Sequence, residues 1–116
     1  MIGKDQFIYY NESVIMKPLA GRDDMYETAA NGGTNHGLLE KLRNQTDNQL
    51  NKSINSFKNN IIEHQHKIAK PSDYIENWND RNENYKNGMI EKWKKDILRN
   101  KNQLDVALGA ARERGL

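Results

Sequence analysis

Residues 46–71, TDNQLNKSINSFKNNIIEHQHKIAKP, decide the fold. Thr46-Asp47-Asn48-Gln49 is a capping box, in which the threonine hydroxyl and the glutamine amide satisfy orphan backbone donors reciprocally. Leu50, Ile54, Phe57, Ile61 and Ile68 follow at spacings of three, four and seven, one apolar face of a helix that Pro71 ends. Downstream, Tyr85, Met89, Trp93, Ile97, Leu104, Ala107, Leu108 and Ala111 draw a second stripe, and Gly115 suits its end. Two long helices, 46–70 and 82–114, joined by a short connector should pair antiparallel. Ile54, Phe57, Ile61, Met89, Trp93 and Ile97 would then bury one another. Gly88 costs about 1 kcal/mol relative to alanine inside a helix, which leaves a start near Met89 open. In the connector, Ser72 is expected to cap a turn from Asp73 to Trp78.

Upstream, 22–45 reads as two short helices around a glycine-rich loop. Asp23 and Asp24 suit the positive end of the first, and Asn31-Gly32-Gly33 stops it. Thr34 is then expected to cap a helix carrying Leu38, Leu39 and Leu42. In 1–20, β-branched and aromatic residues flank Asn11-Glu12-Ser13, which suggests a small β-hairpin ended by Pro18. The expected fold is thus one mainly α domain over 1–116: an antiparallel pair of long helices with short N-terminal helices and a small hairpin.

Composition narrows function by exclusion. A mean hydropathy of −1.03 and short apolar runs argue against a membrane span or a membrane partner, and no signal-peptide pattern precedes them. There is no cysteine, so disulfides and thiolate chemistry are excluded. A net charge of +2 is too small to announce a nucleic-acid binder, although most of the excess lies beyond residue 45. Asp23, Asp24 and Glu27 form the only close carboxylate group and read better as helix-start residues, so neither a metal nor a cofactor is expected.

Proton chemistry then falls to histidine. On a helical wheel His64 lies at the border of the apolar stripe, in one polar row with Ser53, Asn60 and Lys67. A half-buried imidazole beside a lysine can act as general acid or base near neutral pH; the plainer reading is a boundary histidine bonded to a neighbour. His66 points nearly the opposite way, so the two cannot chelate one metal. Asn31-Gly32-Gly33-Thr34-Asn35-His36-Gly37 lets the backbone approach a ligand ahead of a helix, where His36 and Arg22 could meet a phosphate; the plainer reading is an inter-helix turn. Asp96 and Asn100 interrupt the second stripe, and a carboxylate there needs a partner such as Lys58 or Arg99. Trp78 and Trp93 read as core residues sooner than as base-stacking platforms.

Three strings carry a resemblance: Arg22-Asp23-Asp24-Met25 through Asn31–Gly37 to Leu50-Asn51-Lys52-Ser53-Ile54; Glu63–Pro71; and Trp93-Lys94-Lys95-Asp96-Ile97. Together with Trp78 they resemble the C-terminal toxin segments of bacterial polymorphic toxins, the variable tips of Rhs-type and contact-dependent-inhibition proteins. The resemblance implies an interbacterial effector acting in the target-cell cytoplasm, with a cognate immunity protein as partner and nuclease activity as the commonest chemistry. It assigns no active-site residue. RNA suits this chain better than DNA, because its 2′-hydroxyl supplies the nucleophile without a metal. His36 and His64 would share the proton transfers in one cleft. Arg22 and Lys67 would hold the phosphate, with Asn35, Ser53 and Asn60 lining the site. The alternative is a non-enzymatic interaction module: an immunity, adaptor or inhibitor protein.

Overall fold

The computed structural model describes residues 24–116; the hairpin expected in 1–20, and Arg22 and Asp23, lie outside them. Four α-helices follow in chain order: α1 (Asp24–Ala30), α2 (His36–Arg43), α3 (Asp47–Ala69) and α4 (Glu83–Glu113). Two 3₁₀ turns, Pro71–Asp73 and Trp78–Asp80, sit between the long helices. Among the described residues no helix is long and apolar enough to cross a membrane.

Both reciprocal bonds of the capping box are present at the start of α3: Gln49 N–H donates to Thr46 Oγ1 at 3.1 Å, and Thr46 N–H to Gln49 Oε1 at 2.9 Å. At α4, Asn82 caps through Tyr85 N–H at 2.8 Å, so the helix starts at Glu83 and not near Met89. Gly88 is carried inside because the helix on either side continues the same buried stripe. Cross-helix pairs fix the direction: Asp47 meets Arg114, Asn60 meets Asn100 and His64 meets Asp96. Residue numbers rise on α3 as they fall on α4, so the pair is antiparallel. The connector departs from expectation. Pro71, whose φ is already suited to a first helical position, starts the turn, and Ser72 caps nothing.

Leu50, Ile54 and Ile61 of α3 are buried together with Leu104 of α4, while Ala29 of α1 and Leu39 and Leu42 of α2 close the core from the other side. α4 is therefore buried unevenly. Over residues 104–111 it is enclosed without a break, by α1, α2 and α3; nearer its N-terminus only one face is covered. Trp93 is buried, as its core reading requires, while Trp78, stacked on it at 6.0 Å, is only half-buried. Phe57, Met89 and Ile97, expected to be fully buried, are only half-buried, because among the described residues no third helix covers the mid-section of the pair.

The turn between α1 and α2 is set by glycine. Gly32 has φ +89°, Gly32 N–H donates to Ala29 O and Gly33 N–H to Thr28 O, the paired bonds that close a helix C-terminus. Thr34 does not cap α2. Asn35 occupies that position with φ +68° and makes no side-chain capping bond, a left-handed conformation that asparagine tolerates better than most residues. At the other end Arg114 donates to the terminal carbonyls of Leu42 and Arg43 and pairs with Asp47, tying α2, α3 and α4 together.

Candidate functional site

The polar row of α3 separates in space. Ser53 Oγ donates to Gln45 Oε1 at 3.0 Å near the start of the helix. Lys67 Nζ lies 5.8 Å from the centre of the Tyr74 ring, near its end. Between them, Asn60 and His64 join a seam with α4: Asn60 Nδ2 donates to Asn100 Oδ1 (3.2 Å), and Asn100 Nδ2 to Asp96 O (2.8 Å). His64 donates from Nδ1 to Asn60 O at 2.6 Å, and its Nε2 stands 3.3 Å from Asp96 Oδ2.

Asp96 holds this seam. Lys92 reaches Oδ2 at 3.1 Å and Arg99 reaches Oδ1 at 3.1 Å, so Arg99 is a partner as its spacing suggested, while Lys92 and His64 add to it. Burial works to raise the pKa of this carboxyl. The hydrogen bond and charge of Lys92, with the charges of Arg99 and His64, outweigh burial and hold it below its usual range. Both ring nitrogens of His64 thus face protein oxygens, and its side chain is 15% exposed. An imidazole so engaged must break a bond before it can serve a substrate.

His36 is placed differently. It opens α2 on the surface, and its Nδ1 donates to Ala29 O at 2.9 Å. Among the described residues nothing bonds its Nε2. The carbonyl fixes the proton on Nδ1 and leaves the other nitrogen as a base with a set orientation. No contact joins His36 to His64: each has its own partners, on different helices.

Asn35, the residue before His36, lines a groove of about 310 Å³. Met25, Thr34 and Asn35 form one wall; Lys95, Leu98, Arg99, Asn102 and Gln103 of α4 form the other. Lys95 and Arg99 bring two cations, and among the described residues no carboxylate lines the groove. The residues on α4 recur every three or four positions on a face turned away from α3, so half of the groove was legible in the helical period. What sets Thr34 and Asn35 against them is tertiary packing: Tyr26 lies on Gly109, where an added Cβ would meet its ring, and the buried Asp105 accepts from Tyr26 N–H.

Comparisons with protein-family models, with curated proteins and with solved structures found no match. The side chains themselves carry the functional argument.

Proposed function

We propose that this chain is an interbacterial toxin effector domain that cleaves RNA without a metal, with His36 as the base and Arg99 and Lys95 on the phosphate. The supporting observation is the state of His36: anchored through Nδ1, unengaged at Nε2, and next in sequence to Asn35 in the wall of a cationic groove. In this mechanism Nε2 takes the proton of a ribose 2′-hydroxyl and that oxygen attacks the adjacent phosphorus. The bond to the 5′-oxygen breaks, that oxygen takes a proton from water, and a 2′,3′-cyclic phosphate remains. Arg99 and Lys95 stabilise the charge that develops on the phosphoryl oxygens. His64 takes the plainer of its two roles and positions Asp96, and through it Arg99. The domain acts in the target-cell cytoplasm and is neutralised in the producing cell by a cognate immunity protein.

Brief cytosolic expression tests this. Growth should stop and total RNA should fragment on gels while DNA stays intact, and His36→Ala should abolish both effects. Intact RNA during wild-type expression, or equal fragmentation with His36→Ala, rejects the assignment. The second reading is a non-enzymatic interaction module, favoured by the closed coordination of His64 and the exposed Leu98, 48% accessible on the groove wall. It predicts no toxicity from either chain.

A further inference from the structure

The groove between Asn35 and α4 carries more hydrogen-bonding capacity than holding a phosphate requires. Asn35, Asn102 and Gln103 are half-buried there. Among the described residues nothing bonds their side-chain amides, nor the ammonium of Lys95. These amides face solvent in the groove, so their donors and acceptors are open to a ligand. Met25 and Leu98 supply apolar surface on opposite walls, with Leu98 exposed at 48%. The volume, about 310 Å³, lies at the small end of ligand sites.

We infer that this groove is a subsite for one unpaired nucleotide, so that the domain selects single-stranded RNA. The inference rests on the RNA-cleaving reading and adds its substrate class. Met25 and Leu98 bracket the flat faces of the base. The amides of Asn35, Asn102 and Gln103 bond its edge, since an amide offers a donor and an acceptor side by side, as a base edge does. Lys95 and Arg99 take the flanking phosphate. A base in a duplex is stacked and paired and cannot enter, whereas a loop or a free strand presents its edges for this kind of reading. Charge complementarity agrees: among the described residues the groove has two cations and no acid.

The full-length His36→Ala chain, which should bind without cleaving, is titrated with adenosine monophosphate, a single-stranded RNA 8-mer and the matching duplex, with amide NMR spectra recorded. The mononucleotide and the single strand should shift residues 34–35 and 95–103, and the single strand should bind at least about tenfold more tightly than the duplex. Asn102→Ala and Leu98→Ala, made separately in that background, should each weaken single-strand binding about tenfold. Lys52→Ala, on the exposed side of α3, should leave it unchanged. Equal affinity for duplex and single strand overturns the inference, as do shifts that map elsewhere or indifference to both groove variants. Nucleotide binding in the groove by a wild-type chain that leaves RNA intact would overturn the cleavage reading alone, and cleavage with no strand preference would overturn the subsite alone.

Discussion

Two glycines of α4 show how one residue type carries opposite consequences. Gly109 is met by the ring of Tyr26, and a Cβ there would force the whole ring aside. Gly88 faces open space, with nothing within 4 Å. Gly109→Ala should therefore destabilise the fold by about 1–3 kcal/mol, the usual range for overpacking. Gly88→Ala should stabilise it by up to about 1 kcal/mol through helix propensity alone. Urea denaturation of the two variants checks the opposed signs; a loss of stability in both would mean that Gly88 also has a packing role. The cap of α3 is tested the same way. Thr46→Ala should cost about 1 kcal/mol, whereas Asn48→Ala, exposed and outside the reciprocal bonds, should be nearly silent.

At the scale of elements, α3 and α4 are held by two kinds of contact. Apolar burial concentrates toward the start of α3, where Leu50 and Ile54 share one core with the enclosed end of α4, and it reaches as far as Ile61. Beyond it the pair depends on the Asn60–Asn100 and His64–Asp96 seam. Ile61→Ala, at a fully buried position, should cost about 2–5 kcal/mol. Phe57→Ala should cost less than the full penalty for a buried phenylalanine, because Phe57 is only half-buried. Thermal melts that rank Phe57 above Ile61 would contradict this packing. The seam also fixes register: Asn60–Asn100 and His64–Asp96 each join one residue on α3 to one on α4, and a slip by one turn would leave Asp96 buried without His64.

Across the whole molecule, two carboxylates, one midway along α4 and one at its C-terminus, couple folding to pH. Asp96 is held below its ordinary value of 3.8, the cations around it outweighing its burial. Glu113 is held below 4.5, first by the bonds from Arg43, whose Nε and Nη2 lie 2.9 and 2.6 Å from its two oxygens, with the Tyr26 hydroxyl adding to them against burial. A carboxyl with a depressed folded pKa binds fewer protons folded than unfolded at pH values between the two. Its stabilising contribution is complete above the ordinary values and is lost as the pH falls through the lower folded ones. The melting temperature should therefore be insensitive to these groups above about pH 5 and fall below about pH 4. Asp96→Asn should flatten part of that fall; a variant that melts with the same acid slope would remove Asp96 from the account.

The sequence by itself determined the two long helices, the capping box of the first and their antiparallel pairing, because each depends on local chemistry: a capping box, a helical period, a proline stop and a connector too short for any other return. It also singled out Asp96 as a carboxylate in need of cations, since its place on an apolar stripe is a matter of spacing. Helical period could not show that residues 104–111 are buried on every side, because that depends on α1 and α2 folding back over α4. Nor could it distinguish the histidines. His64 reads as a helix-border residue and His36 as a loop residue, both open to proton transfer, and only the tertiary contact with Asp96 engages the second nitrogen of His64 while that of His36 stays unbonded among the described residues. The groove divides in the same way: Lys95, Leu98, Arg99 and Asn102 share a helix face by their spacing alone, whereas Thr34 and Asn35 reach them only because Tyr26 packs on Gly109, a contact between residues far apart in the chain.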